Sequence, residues 1–184
     1  YSFIFIKDKV SPKDIPFKLN RAQRRVLNKL EKLRKAGKPI KFILLKARQW
    51  GGSTLVQIYM LWIMLVHRRN WNTVICGDVE TQSRNVRAMI TKALNKYPSY
   101  LLGETVKFTP FEGSSKNKVI QNTNCVVSIG SFQKPDTLRS GDISGAHLTE
   151  IGLWRATPGK KPEDLIQSIS GSIYDTAYTI LGLE

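Results

Sequence analysis

One segment of the chain has the residue types of a phosphate-binding turn. It spans 46–54 and reads Lys-Ala-Arg-Gln-Trp-Gly-Gly-Ser-Thr. A short apolar run precedes it at 40–45, and a nearly all-apolar stretch follows it at 55–66. Between a strand and a helix, the N–H groups of such a turn and the positive end of the helix dipole can face an anion. The segment therefore indicates binding of a phosphate group.

The segment departs from the usual phosphate-loop pattern, G-x-x-x-x-G-K-[ST], in which Lys contacts the phosphates and the hydroxyl holds Mg²⁺. Aligning the two puts Lys46 at the first glycine and Gly51 at the second. Gly52 then takes the lysine position and Ser53 the hydroxyl position. We expect the Arg48 guanidinium to supply the missing positive charge. The alternative is that the glycines only form a turn and that Ser53 only caps the following helix.

The surrounding pattern predicts the elements that must position this segment. Apolar spacing predicts a first helix that begins after the N-cap Asn20 and ends at Gly37 and Pro39. Further helices are predicted at 55–66 and about 80–97, core strands at 40–45, 73–77, 146–148 and 177–183, and short strands that could pair antiparallel at 106–108, 119–121 and 126–132. This alternation predicts an α/β fold with a largely parallel sheet and a β-rich insert.

Composition and charge exclude several classes of protein. The 41% hydrophobic and 23% charged fractions exclude wholesale disorder, and two cysteines give no disulfide framework, so we expect an intracellular protein. No apolar run reaches the roughly 18 residues of a membrane span. The chain holds 29 basic and 14 acidic residues, a net charge of 29 − 14 = +15. Residues 1–48 hold 15 basic and 3 acidic residues, or +12 of that total. This concentration of positive charge is consistent with an anionic partner, such as a nucleic acid or a nucleotide. The alternative is a solvated basic face whose charge is balanced by acidic residues elsewhere in a longer protein.

Segment 46–54 resembles the deviant Walker A motif of large terminase subunits, the ATPases that pump viral DNA into tailed-phage capsids. Other segments resemble further motifs of that family, in the same order. They are an adenine-binding motif at 17–23, the segment after the second core strand at 75–84, a Leu-Arg-Gly-type segment at 134–141 and a Walker B motif at 146–151. The resemblance covers about 15–184. It implies a P-loop NTPase fold of the ASCE/RecA-like class, with a central mostly parallel sheet flanked by helices.

The resemblance also implies where ATP and Mg²⁺ would bind. The adenine would lie near Gln23, whose amide can both donate and accept a hydrogen bond. Gln23 and Asn20 also have the spacing of a helix capping box, and both roles can hold at once. Mg²⁺ would lie near Ser53. The residues that would bind the phosphates are Lys46, Arg48, Gln49, Trp50, Gly51, Gly52, Ser53 and Thr54.

Three residues of the later motifs complete the implied site. A carboxylate directly after an apolar strand and beside a phosphate loop can orient and activate water, so Glu150 is the candidate general base. Thr149 stands where the family usually has a Mg²⁺-bridging Asp. Thr149 and Glu150 could each hold the metal through a water molecule. Arg139 is a candidate arginine finger, with a structural ion pair as the alternative. An ordinary surface glutamate is the alternative for Glu150.

The resemblance implies that this chain is the ATPase domain of a DNA-packaging motor, which hydrolyses ATP to drive double-stranded DNA into a procapsid. We expect an extended lead-in at 1–16 and the ATPase domain at 17–184. The chain begins at Tyr1 without an initiator Met, so we expect a piece of a longer protein. The coupling motif would follow Glu184, and the nuclease domain would lie outside the chain.

The implied partners are viral DNA, the portal protein and the small terminase subunit, with a ring homo-oligomer on the portal and no membrane. The implied location is the host bacterial cytoplasm during phage assembly.

Two other functions remain open at this point. A helicase-like translocase has the same core but normally carries an intact Gly-Lys-Thr loop and an Asp-Glu Walker B motif. A nucleic-acid-binding module with a vestigial loop could instead use the basic helix at 21–35 as its DNA-binding face.

Overall fold

A central sheet of seven strands carries the fold, with strand order β3-β9-β8-β4-β7-β6-β5. The computed structural model describes residues 3–8, 10–47, 49–135 and 142–184. The strands are β1 Phe5–Lys7, β2 Asp14–Pro16, β3 Ile40–Ile43, β4 Thr73–Gly77, β5 Phe108–Phe111, β6 Ser114–Ile120, β7 Cys125–Ser131, β8 Gly145–Leu148 and β9 Ile180–Leu183. The α-helices are α1 Arg21–Lys35, α2 Gly52–Trp62, α3 Glu80–Asn95 and α4 Pro162–Gly171.

Most of the sheet is parallel. The strands β3, β9, β8, β4 and β7 pair side by side in parallel, whereas β6 and β5 extend the sheet antiparallel beyond β7. The predicted α/β fold with a mostly parallel sheet and a β-rich insert is therefore confirmed. In a parallel arrangement the carboxyl ends of β3, β8 and β9 meet at one edge, where ligands bind in open α/β sheets.

Both faces of the sheet are covered, as expected for parallel strands. In β4, Ile75 belongs to the larger apolar cluster, which includes residues of α1, α2 and α3. Its neighbours Val74 and Cys76 belong to the smaller cluster, which includes Leu165 and Ile169 of α4. Successive side chains of a strand point to opposite faces, so this alternation places α4 on the face opposite α2 and α3.

Helix α2 is buried on nearly all sides, which explains its nearly all-apolar sequence. The prediction placed this helix at 55–66. In the structure α2 begins three residues earlier, at Gly52, and a π-helical turn at Ile63–His67 follows its end at Trp62. Within the part of the chain that the structure describes, no helix is long and apolar enough to cross a membrane.

Several predicted boundaries were wrong. The strand predicted at 119–121 is longer than expected: β6 begins at Ser114, directly after a turn made by Glu112 and Gly113, both with positive φ. Helix α4 was not predicted, and the last strand is shorter than the predicted 177–183. The lead-in contains an antiparallel hairpin of β1 and β2, held against α3 by ion pairs from Lys92 and Lys96 to Asp14.

Truncation in the middle of β4 tests the position of the core. Ile75 is fully buried, so we expect Ile75→Ala to lower the free energy of unfolding by about 3 kcal/mol. The melting temperature should fall by about 10 °C. The matched control is Ile43→Ala in β3, whose side chain is 80% exposed and which should change stability little. Thermal denaturation measures both variants. Equal losses of stability would contradict the placement of β4 in the centre of the core.

Candidate functional site

The turn between β3 and α2 has the backbone shape of an anion-binding loop. Gln49 and Gly51 both have left-handed φ values, of 63° and 86°, and Gly51 is the N-cap of α2. The first turn of α2 contains no acidic residue, and glycine at the N-cap offers no side chain to cap the helix. The N-cap residue therefore makes no side-chain hydrogen bond to the N–H groups at the start of α2, the end of a helix that favours anions.

The two glycines of this turn are required by close contacts. A Cβ atom at Gly51 would lie 2.6 Å from Gln23 Nε2. A Cβ atom at Gly52 would lie 2.9 Å from Lys46 Cδ and 3.1 Å from Leu44 Cδ2. A side chain at position 52 would therefore require the Lys46 side chain to move.

Gln23 fastens the turn to the start of α1. The predicted capping box is confirmed: Gln23 N donates to Asn20 Oδ1 and Asn20 N donates to Gln23 Oε1, at 2.8 and 2.9 Å. In addition, Gln23 Nε2 donates to Gly51 O at 2.9 Å, and Asn20 Nδ2 donates to Trp50 O at 3.0 Å. Both ends of the buried Gln23 amide are thus engaged within the protein, and adenine recognition by Gln23 stays a prediction.

Two cavities meet at this turn. The first, of about 620 Å³, is largely apolar and includes Phe17, Trp50 and Ile58 in its wall. The second, of about 640 Å³, includes Lys46, Ser53 and Glu150. The cavities share Gln49, Gly51 and Thr54, so one cleft has an apolar end and a polar end on either side of the turn. Both volumes are in the range of small-molecule sites.

Glu150 lies at the polar end of this cleft, as an exposed residue just after β8. Its backbone is left-handed, with φ of 56°, a conformation that costs a non-glycine residue about 1 kcal/mol or more. Gln82 Nε2 donates to Glu150 Oε2 at 2.9 Å, while Gln82 Oε1 accepts from Asp78 N at 2.9 Å. The segment after β4 therefore orients this carboxylate, a role that the residue type of Gln82 did not reveal.

A second carboxylate, from Glu184, lies buried directly after β9. Its side chain is 1% exposed. Ser53 Oγ donates to Glu184 Oε1 at 2.5 Å, Lys46 Nζ lies 2.7 Å from the same oxygen, and His147 Nε2 lies 2.7 Å from Oε2. Burial alone would raise the pKa of Glu184, but the contacts with His147, Lys46 and Ser53 outweigh it and lower the pKa to about 2. Glu184 is therefore a carboxylate at neutral pH.

The imidazole of His147 is fixed from its other side by α2. Gln57 Nε2 lies 2.6 Å from His147 Nδ1, and both side chains are buried. This contact explains why Gln57, a polar residue, is buried among the apolar side chains of α2. A buried row of polar side chains therefore runs from Gln57 through His147 and Glu184 to Ser53. The sequence analysis did not predict it. The available signal was a glutamate directly after a buried strand, which is the signal that identified Glu150.

The remaining predicted site residues are placed as follows. Thr149 is buried, and its N–H donates to Cys76 O at 2.8 Å. Thr54 Oγ1 lies 3.6 Å from Met89 Sδ. Arg48 and Arg139 lie outside the described residues, and their roles stay predictions.

Substitution of Gly51 tests how closely the turn is packed. We expect Gly51→Ala to lower the free energy of unfolding by about 2 kcal/mol, through its positive φ and its contact with the tethered Gln23 amide. The matched control is Gly103→Ala. Gly103 has a similar φ of 75°, but a Cβ atom there would have no neighbour within 4 Å, so we expect the free energy of unfolding to fall by only about 1 kcal/mol. Urea denaturation measures both. Equal losses of unfolding free energy in the two variants would mean that contact with Gln23 does not restrict position 51.

Comparison with known proteins identifies the fold. No protein-family model matches the sequence, and no curated protein sequence matches it either. Among solved structures, the chain is similar to the HK97 bacteriophage large terminase, at 22% identity and a TM-score of 0.72 over 98% of this chain and 35% of that one. The large terminase of a thermophilic bacteriophage matches at 12% identity and a TM-score of 0.62, over 91% of this chain and 39% of that one.

Further matches come from the same group of proteins. The ATPase domain of the Thermus phage P74-26 large terminase, in a mutant form, matches at 12% identity and a TM-score of 0.55, over 91% of this chain and 65% of that one. The large terminase of the thermophilic bacteriophage has also been solved in complex with ADP and with ATP-gamma-S. This chain spans little more than a third of that protein and of the HK97 protein. It therefore has the α/β fold of large-terminase ATPase domains.

Proposed function

We propose that this chain binds and hydrolyses ATP, as the ATPase domain of a viral DNA-packaging terminase. The observation that carries the proposal is the polar end of the cleft, where Lys46, Ser53 and Glu150 line one cavity beside the glycine turn. The large terminase of the thermophilic bacteriophage, whose fold is similar, has been solved with ADP and with ATP-gamma-S. Both lines of support favour a nucleotide as the ligand.

The residues of the turn fit a nucleotide phosphate group. Gly51 and Gly52 line the cleft without side chains at the start of α2, where the backbone favours an anion, and Lys46 adds a positive charge within the cleft. Arg48, in the same turn, is proposed to add the charge that position 52 lacks. The other proposed phosphate contacts come from Gln49, Trp50, Ser53 and Thr54, and the adenine would lie at the apolar end near Gln23.

The site also fits Mg²⁺, because the hydroxyl of Ser53 is the kind of hard oxygen ligand that this ion prefers. Bound together with the nucleotide, the ion would neutralise phosphate charge. Thr149 and Glu150 are proposed to contact it through water.

Glu150 is proposed to accept the proton of the attacking water. Its carboxylate is exposed to the cleft and is held by Gln82, so its orientation is set before substrate arrives. Phosphoryl transfer to water requires little covalent assistance, so positioning and charge neutralisation supply most of the rate. Arg139 is proposed to approach the phosphates as an arginine finger.

The wider function is also a proposal. Hydrolysis would drive double-stranded DNA into a procapsid in the cytoplasm of a host bacterium. The chain would act in a ring with the portal protein and the small terminase subunit. Its own part would be the ATPase domain at 17–184, preceded by the segment at 1–16.

The exposed face of α1 favours a second candidate function, a nucleic-acid-binding module. This face carries six exposed basic side chains, those of Arg21, Arg24, Arg25, Lys29, Lys32 and Lys35. A dedicated binder should lose affinity for DNA steeply as the salt concentration rises, because cation-phosphate contacts release counterions. Absence of ATP hydrolysis together with such a salt dependence would favour this alternative.

Removal of the proposed general base tests the main proposal. We expect Glu150→Gln to lower the rate of ATP hydrolysis of the full-length protein by at least about 100-fold, because an amide cannot accept the proton of the attacking water. Binding of ATP-gamma-S should be retained. Release of inorganic phosphate measures the rate.

The matched control is Glu163→Gln, which removes an exposed carboxylate on α4 and should leave the rate unchanged. Full activity of Glu150→Gln would contradict the role of Glu150. Absence of hydrolysis in the unsubstituted protein would contradict the proposed function.

A further inference from the structure

Glu184 lies beside Thr149, the position at which the resemblance implies a Mg²⁺-bridging Asp. Strands β8 and β9 are parallel neighbours, and Leu148 pairs with Leu183. The next residues along, Thr149 and Glu184, therefore lie side by side at the same edge of the sheet. Two backbone contacts fix this register: Glu184 N donates to Leu148 O at 2.9 Å, and Ile151 N donates to Glu184 O at 3.0 Å.

We propose that Glu184 is the carboxylate that holds the nucleotide-associated Mg²⁺ ion, in place of the residue that Thr149 replaces. The proposed metal-binding carboxylate thus follows β9, whereas the resemblance implies one after the neighbouring strand β8. This inference rests on the proposed binding of ATP, and it adds a residue that the sequence pattern did not assign to the site.

The first support is the contact between Glu184 and Ser53. Ser53 Oγ and Glu184 Oε1 lie 2.5 Å apart, which puts a hydroxyl and a carboxylate oxygen next to each other at the start of α2. Mg²⁺ binds through one or two carboxylates together with phosphate oxygens and water, so this pair has the required chemistry. Ser53 also lines the polar end of the cleft, which connects the pair to the proposed phosphate site.

The second support is the way the carboxylate is held. Oε2 is 2.7 Å from His147 Nε2, and His147 Nδ1 is 2.6 Å from Gln57 Nε2. All three side chains are buried. A metal-binding carboxylate commonly has its outer oxygen fixed by such partners, which set the direction of the other oxygen. Here the fixed oxygen is Oε2, and Oε1 is directed to Ser53.

The third support is the position of Lys46. Its Nζ is 2.7 Å from Glu184 Oε1, so its charge compensates that of the buried carboxylate. The Lys46 side chain is 21% exposed and lines the cleft, within which phosphate oxygens would compete for the same ammonium group. A divalent cation at Oε1 would then neutralise the negative charge of Glu184, and the Lys46 ammonium group could bind the phosphates instead.

Binding of Mn²⁺ to the full-length protein tests this inference. Free Mn²⁺ is quantified by electron paramagnetic resonance at a saturating concentration of ATP-gamma-S. The test variant is Glu184→Gln, which removes the charge and keeps the shape and an acceptor for Ser53. We expect its dissociation constant for Mn²⁺ to rise by about 10-fold or more. Its affinity for ATP-gamma-S in the presence of EDTA should be unchanged or higher, since a negative charge near the phosphates is gone.

Two further variants sharpen the result. Glu163→Gln, at an exposed position of α4, should bind Mn²⁺ as the unsubstituted protein does. Addition of Thr149→Asp to Glu184→Gln should restore Mn²⁺ binding, because the carboxylate returns to the neighbouring strand. If Glu184→Gln fails to give a cooperative thermal transition, Glu184→Asp takes its place; it keeps the charge but shortens the reach and should also weaken Mn²⁺ binding.

The outcomes separate this inference from the proposed function. Mn²⁺ affinity equal to that of the unsubstituted protein in the folded Glu184 variant would overturn the inference alone. If the Glu184 variant loses affinity for ATP-gamma-S in EDTA by the same factor as it loses affinity for Mn²⁺, the role of Glu184 is purely structural. That result would also overturn the inference. Failure of the unsubstituted protein to bind ATP-gamma-S at all would overturn the proposed function and the inference together.

Discussion

The Glu184 carboxylate lies where the turn after β3, the start of α2, β8 and β9 meet, and each of the first three contributes one contact to it. Lys46 and Ser53 share one carboxylate oxygen, and His147 contacts the other. A buried charge costs several kcal/mol unless it is paired and hydrogen-bonded, so these contacts constrain the positions of all four elements. The geometry of the polar end of the cleft depends on this constraint, because the elements that carry Ser53 and Glu150 cannot separate without uncovering the charge.

A second set of contacts holds the same turn from the side of α1. Gln23 donates to Gly51 O and Asn20 donates to Trp50 O, so the capping residues of α1 also support the turn. A Cβ atom at position 51 would lie 2.6 Å from Gln23 Nε2, and one at position 52 would lie 2.9 Å from Lys46 Cδ. The result is a closely packed turn, placed between an apolar and a polar cavity. Such an arrangement suits a ligand with a ring at one end and phosphates at the other.

The sequence predicted the elements that local pattern determines. Alternating strands and helices indicated the α/β class, the spacing of Asn20 and Gln23 indicated the capping box, and the glycine pair indicated the turn. Residues whose role depends on strand pairing could not be predicted in the same way. Glu184 reaches Ser53 only because β9 pairs between β3 and β8, and Gln82 reaches Glu150 only because β4 lies next to β8. Helix α4 was missed although the sequence carries its signals: Pro162 and two acidic residues stand in its first turn, and Leu165 and Ile169, which pack in the smaller core cluster, have helical spacing.

Both the proposed hydrolysis of ATP and the proposed metal-binding role of Glu184 require that the turn between β3 and α2 bind the phosphates of a nucleotide. Hydrogen-deuterium exchange of the full-length protein, with and without ATP-gamma-S and Mg²⁺, tests this most directly, since the backbone N–H groups of the turn would be the groups that bind. We predict slower exchange at 49–55 when the nucleotide is present, with no change in the exposed loop at 157–161. Unchanged exchange at 49–55 under conditions where ATP-gamma-S is bound would contradict it.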